Sequence, residues 1–574
     1  MYKKSLQHWA SALVFGLCFC QALAADTPAN NFKFWVEFKD KIGTPYLISR
    51  PEEFLSRRAI ERRNKAGVAV NWNDLPPNPT YIKTVGETGA KILLRSRWMN
   101  AVLIETTDSA LSIGIAKMAT VKEVKLMGIW PYSQKKEDGQ AIFLDELEAS
   151  EARKGLKKRA AGRKWKASDE KMRSYYGEAF RQIDQLRGTV LHQNGYRGKG
   201  VMIAVLDAGF YKAQEISAFE SLRKRRGILY TYDFVVGNTD VYNDDDHGTQ
   251  VLSCMAAYFP GEMIGTAPEA DYVLLRTEDA ATEFPVEEAN WVAAAELADS
   301  MGADVINASV GYTQFDMGSF GHTYNELDGN TTLISRAANF AWERGIFVVT
   351  SAGNEGDDGW QFIGAPADAH GAIAVAAVDR DGNRAGFSSK GLEHTPTKPD
   401  MAAMGRGTTV AAAGGYFTRS NGTSFSSPVL AGMIACAIQY FPSKKPADLR
   451  NWLNMSGAAF PERDQWLGYG IPNFYKLMQF AKPTDEVLKH DFIAWLPPGP
   501  VLKSFVIQTL KQPAKEWSYT LKNQSGGNET SGSLMLYGNV LYAAKITPEK
   551  SGKYELLLTD GKSSWKQQFE YRKE

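Results

Sequence analysis

The stretch "VMIAVLDAGF" runs from Val201 to Phe210. Its apolar residues follow one another without a polar alternate, and then an aspartate meets a glycine turn. A strand with one wet face would alternate, so this run belongs to a sheet covered on both sides. Runs of the same kind recur at "DYVLLRT" (271–277), "DVINASV" (304–310), "IFVVTSA" (346–352) and "AIAVAAVD" (372–379). Helical patterns such as "VEEANWVAAAELADSMG" (286–302) and "LISRAANFAWERG" (333–345) lie between them. Strands alternating with helices predict an α/β fold with a doubly wound parallel sheet, placed at 185–484. Chemistry in such sheets collects at the carboxyl ends of the strands.

Working outward, residues 25–134 read as a small α+β unit. Strands are expected at 31–38, 91–96, 99–106 and 121–127, with helices at 51–67, near 78–89 and near 108–118. Without the helix at 51–67 the order is β-α-β-β-α-β, the ferredoxin-like arrangement. Residues 135–184 are dense in charge and poor in core formers, a solvated linker or processing region. Residues 485–574 hold strand-like segments separated by turns, a small all-β sandwich without a chemical cluster. At the N-terminus, Lys3 and Lys4 precede an apolar run that ends in Ala22-Leu23-Ala24. This reads as a secretory signal peptide over 1–24, so the expected location is periplasmic, cell-surface or extracellular.

The chain has 574 residues and a formal net charge of +1. That balance offers no footprint for nucleic acid or an anionic membrane. No later apolar stretch is long enough to span a bilayer. Beyond the signal segment only Cys254 and Cys436 remain, which excludes a disulfide scaffold and leaves buried thiols or a single bridge.

Three short stretches carry the chemistry. "AVLDAGF" (204–210) ends a buried strand on Asp207. "DDDHGTQVLSCMAA" (244–257) sets His247 before a helix. "NGTSFSSPVLAG" (421–432) sets Ser424 before a helix expected from about Ser426. Each alone reads as turn and cap chemistry. Together they place Asp, His and Ser in a chain order that resembles that of the subtilisins and differs from the two other known orders. Gly-x-Ser-x-Gly, which an α/β-hydrolase needs, fails at Ser426.

On "VLDAGF", "HGTQV", "NASVG", "SAGNEG", "KPDMAA" and "GTSFSSP", the region 185–480 resembles the subtilases, the subtilisin-like serine peptidases. The "RAIERR" helix and the "DGNTT" insert resemble members from Bacteroidetes-type bacteria. The resemblance implies a subtilisin-like fold and a serine endopeptidase with Asp207, His247 and Ser424 as the catalytic set. A serine hydroxyl is a weak nucleophile that needs a base, so His247 takes its proton while Asp207 orients and supports the imidazole. Activity is then expected to fall as pH drops through about 6–7. The resemblance further implies an oxyanion hole from the Asn354 side chain and the Ser424 N–H. It assigns substrate binding to Ser309, Val310, Gly311 and Gly353. Tyr312 stands where the family usually has a second glycine, and an insert follows to about Asn330. Glu355 reads as a solvent-facing loop acid.

No cofactor is required for such chemistry. Asp244-Asp245-Asp246 read as a solvated loop; calcium is a structural option without identified ligands, and no metal site is assigned. By analogy the 25–134 unit is a propeptide that assists folding and blocks the cleft, an intramolecular inhibitor of a self-processing zymogen. Expected partners are protein or peptide substrates, with the mature chain a monomer. Two other readings keep the fold: an inactive peptide-binding module, or acyl transfer to an amine as a peptide ligase.

Overall fold

The structure is a computed structural model. It describes residues 30–130, 167–480 apart from 317 and 393–397, and the strands within 492–571 with their shorter connections. The proposed signal segment and the charged run 131–166 lie outside the described residues.

The N-terminal unit comprises β1 (Asn31–Phe38), α1 (Arg57–Ala66), α2 (Pro79–Gly86), β2 (Lys91–Ser96), β3 (Ala101–Thr106), α3 (Leu111–Ala116) and β4 (Val121–Trp130). The strands form one antiparallel sheet in the order β2-β3-β1-β4, which is the ferredoxin-like order once α1 is set aside. Alternation along β1 divides the sheet's two faces. Phe34 and Val36 pack beneath α2 and α3, with Ile82, Val85 and Ile115. Trp35 faces the other way, with Trp98, Met99 and Met127, into a cluster shared with the next unit.

That next unit contains β5 (Met202–Asp207), β6 (Ile228–Asp233), α4 (His247–Ala256), β7 (Asp271–Arg276), α5 (Val286–Met301), β8 (Val305–Ala308), α6 (Leu333–Glu343), β9 (Phe347–Ser351), β10 (Ala372–Val378), β11 (Met401–Met404) and α7 (Thr423–Tyr440). The seven strands form a parallel sheet in the order β11-β10-β9-β8-β5-β7-β6. Strand β5 shows why its run is uninterrupted. Ile203 and Val205 pack toward α4 and α7, whereas Met202, Ala204 and Leu206 pack toward α5 and α6. The chain builds β6 and β7 on one side of β5 and β8 to β11 on the other. The order therefore reverses between β5 and β8, and a crevice opens at their carboxyl ends. Tyr176, Ala179, Phe180 and Ile183 belong to the same core, so packing of this unit begins upstream of residue 185.

The C-terminal segment forms two four-stranded antiparallel sheets. Met535–Tyr537 and Leu541–Ala544 pair antiparallel in one of them. Cys254 and Cys436 are free and buried, which settles the sequence alternatives for thiols over a bridge.

Candidate active site

Asp207 ends β5 and is fully buried. One carboxylate oxygen accepts from His247 Nδ1–H at 2.7 Å and from the Ala208 N–H at 2.9 Å. The other oxygen has no hydrogen-bond partner among the described residues. His247 is the first residue of α4, and its backbone N–H donates to Asp245 Oδ1 at 2.7 Å. Two glycines permit this approach. A Cβ at Gly248 would lie 2.3 Å from Gly209 O and 3.0 Å from Asp207 Cβ; one at Gly209 would lie 2.6 Å from Asp245 O. No L side chain fits at either position without moving the backbone.

Ser424 arrives on the same face as α4, from the half of the sheet formed by β8 to β11. Helix α7 begins at Thr423, so Ser424 lies inside its first turn rather than two residues before it. Gly422, with φ of +148°, makes the turn that allows this. The early start has a second support. Pro428 lacks an N–H and leaves the carbonyl four residues earlier, that of Ser424, without its helical donor. The Ser309 hydroxyl fills the vacancy at 2.8 Å. Ser424 Oγ makes a long bond of 3.4 Å to Ser309 O. The ring of the adjacent Phe425 packs on the His247 imidazole with centroids 5.9 Å apart.

Asn354 follows β9. Its Oδ1 accepts from the Thr423 N–H at 2.9 Å and from the Thr423 hydroxyl at 3.0 Å. Because the oxygen is committed to Thr423, the amide group's donors point elsewhere. The Thr423 hydroxyl also accepts from Gly353 N–H at 3.1 Å. Thr423, directly before Ser424 in the chain, thereby fixes both Asn354 and Gly353. Of the expected substrate edge, Ser309 and Val310 are buried and Gly311 is exposed. Tyr312 leaves that edge: its backbone pairs both ways with Ala365, at 2.8 and 3.0 Å.

The electrostatics centre on His247. Burial opposes its charge. The charge and hydrogen bond of Asp207 overcome burial, with Glu278 and Asp245 adding to them, and raise the imidazole to about 9. Glu278 was not singled out from sequence. It follows Thr277, whose N–H donates to Asp207 O at 3.0 Å. Its carboxyl accepts from the buried Tyr312 hydroxyl at 2.8 Å. Burial first, then the Asp207 charge, push that carboxyl up to about 8.

One acid differs from expectation. Glu355 is not solvent-facing: it is half-buried and accepts from Ser389 Oγ at 2.6 Å. Burial raises its carboxyl above the ordinary range. The carboxylates of Asp244, Asp245 and Asp246 diverge to Arg276, the His247 N–H and the Gln250 side chain. They do not converge on one point, and no group of three metal-ligating side chains occurs among the described residues.

The fold and this site define a class: an α/β unit in which a bonded aspartate–histidine pair lies beside the first turn of a serine-bearing helix at the carboxyl end of a parallel sheet. Residues 198–470 match the Subtilase family, and residues 33–141 match the Peptidase S8 propeptide domain of Bacteroidota. Subtilisin E of Bacillus subtilis (strain 168) is 31% identical over 295 residues, 51% of this chain and 69% of that protein. The subtilisin of Bacillus pumilus is likewise 31% identical, over 51% of this chain and 95% of that protein. The chain belongs to the subtilase family, and it is a serine endopeptidase carrying a propeptide domain. Fervidolysin from Fervidobacterium pennivorans aligns over 92% of this chain and 70% of its own, with TM-score 0.51 and 18% identity. EpiP from Staphylococcus aureus aligns over 79% of this chain and all of its own, with TM-score 0.50 and 17% identity. These two show likeness of fold alone.

Proposed function

We propose that the chain is an exported endopeptidase, made as a zymogen, in which Ser424, His247 and Asp207 cleave peptide bonds through an acyl-enzyme. His247 accepts the Ser424 proton as the hydroxyl attacks the substrate carbonyl, then delivers it to the leaving amine. Asp207 holds the Nδ1–H tautomer and the imidazolium. The oxyanion is received by the Asn354 side-chain amide and the Ser424 N–H, aided by the positive end of α7. Water then releases the acyl group. Ser309, Val310, Gly311 and Gly353 hold an extended peptide by its main chain. Substrates are proteins or peptides, and the mature chain acts as a monomer. Among the described residues no helix is long and apolar enough to cross a membrane, which is compatible with the export reading.

The observation that carries the proposal is the 2.7 Å Asp207–His247 pair beside the first turn of α7. A fluorophosphonate probe tests it. Labelling of the mature protein, mapped to Ser424 by mass spectrometry and absent from Ser424→Ala, is the expected result. Labelling elsewhere sinks the assignment. Self-processing is tested by the same variant, which should retain its N-terminal unit when purified alone.

A further inference from the structure

Helix α1 is the element that the ferredoxin-like order does not need. It lies across the C-termini of two peptidase helices, each closed by a glycine. A Cβ at Gly302, after α5, would lie 2.7 Å from Ala59 N; one at Gly345, after α6, would lie 2.9 Å from Ala66 Cβ. Ser56, the N-cap of α1, donates its N–H to Ser300 O at 2.9 Å. Carbonyls just past the end of α5 take guanidinium donors: Arg58 reaches Gly302 O at 3.0 Å and Arg62 reaches Ala303 O at 2.7 Å. Cations suit this end of a helix.

Beneath these contacts runs an ion-pair chain. Asp299 of α5, fully buried, pairs with Arg62, with Arg63 at 2.6 Å and with Arg97 at 2.5 Å. Asp74, also fully buried, pairs with Arg63 at 3.0 Å and with Arg344 at 2.7 Å. Asp299 and Arg344 belong to the peptidase unit; the others belong to the N-terminal unit. Every pair except Arg63–Asp74 therefore crosses between the units. Removing one member of a buried pair strands its partner, and buried pairs are screened little by salt.

We propose that Asp299, Arg344 and the carbonyls at the end of α5 form an exosite for the arginine helix α1, one that retains the N-terminal unit after the chain between the two units is cut. This rests on the N-terminal unit being the propeptide, as its family match has it. Inhibition then outlasts the first cut, and loss of α1 frees the enzyme. Mild acid does not discharge Asp299. Burial works to raise the Asp299 carboxyl, but Arg97, Arg62, Arg63 and Arg344 overcome it and hold it at about 2. A depressed carboxyl contributes above its ordinary range and loses that contribution only as pH falls toward the depressed value. The charged groups around Asp299 are Arg62 and Arg63 of α1, Arg97 between β2 and β3, Arg344 after α6, and Glu296 on its own helix.

The test uses the Ser424→Ala chain, nicked by limited trypsin in the Lys/Arg-rich run 153–166 and passed through gel filtration. The N-terminal fragment should co-elute with the peptidase unit both in about 1 M NaCl and at about pH 4. Asp299→Asn, or Arg62→Ala with Arg63→Ala, should speed its dissociation at least about 100-fold. Arg57→Ala, whose side chain is 92% exposed, should not. Elution of the unsubstituted fragment alone in salt overturns the proposal, as does a double-arginine variant that holds as long. The double variant leaves the peptidase unit's own sequence intact, so it serves where Asp299→Asn fails to fold. Elution requires no turnover, so it is independent of the catalytic assignment, which the activity of the unmutated chain tests.

Discussion

His247 can take a proton from Ser424 only when its imidazole is neutral. The raised value near 9 places that condition on the alkaline side. Below its pKa the ring is protonated and idle, so kcat/KM should climb with pH, with a midpoint above the ordinary imidazole range. From sequence alone the unperturbed range of about 6–7 was the only basis; the buried carboxylate 2.7 Å away supplies the difference. Glu278→Gln removes one negative charge facing the ring, and the midpoint of the kcat/KM profile should move to lower pH. The same change bears on stability. The folded Glu278 carboxyl, at about 8, lies above its unfolded value, so its contribution is present in acid and lost as pH rises through about 8. Glu278→Gln should therefore raise Tm at about pH 9 and change it little at about pH 4. Thr423→Val removes the hydroxyl that fixes both Asn354 and Gly353. At about 1–2 kcal/mol, kcat should fall roughly 5- to 30-fold with KM nearly constant. Asn354→Ala should cost about 100- to 1000-fold in kcat; that range is the one known for a subtilisin, a relative, and is carried over rather than derived.

At the scale of elements, legibility followed burial. Strands β5, β7, β8, β9 and β10 are buried on both faces, and each showed as an unbroken apolar run. The two edge strands escaped. Strand β6, "ILYTYD", is largely uncovered and lacks such a run; β11, "MAAM", is buried but built from residues of low strand preference. Helix α7 starts at Thr423, ahead of the expected start at about Ser426, with Pro428 inside it. The Ser309 hydroxyl, from the end of another strand, completes the helix where proline cannot. Ser309→Ala should leave the Ser424 carbonyl unsatisfied, lower Tm by the few degrees that about 1–2 kcal/mol represents, and reduce kcat. Gly248→Ala forces a Cβ to 2.3 Å from Gly209 O. Loss of nearly all activity, with a lower Tm by calorimetry, is the expected outcome.

Across the whole molecule, the N-terminal sheet and the peptidase unit share one apolar cluster as well as the ion-pair chain. Trp98 is 3% exposed and packs on Phe340 with centroids 6.1 Å apart, while the Arg344 guanidinium lies 5.0 Å from its ring. Trp98→Ala should cost about 3–5 kcal/mol of the stability of the uncut Ser424→Ala chain, read as a lower urea midpoint. The order of elements, the doubly covered sheet and the chain order of Asp207, His247 and Ser424 were all determined by sequence. Those properties rest on local periodicity and on which residue types stand at strand and helix ends. Tertiary structure alone decided the rest: the Glu278 carboxyl beside the Asp207–His247 pair, the Thr423 clamp on Asn354, and Asp299 paired with Arg62, Arg63 and Arg97, each more than two hundred positions away. Each depends on close approach between segments distant in the chain, and a pattern read along the chain carries no measure of that distance.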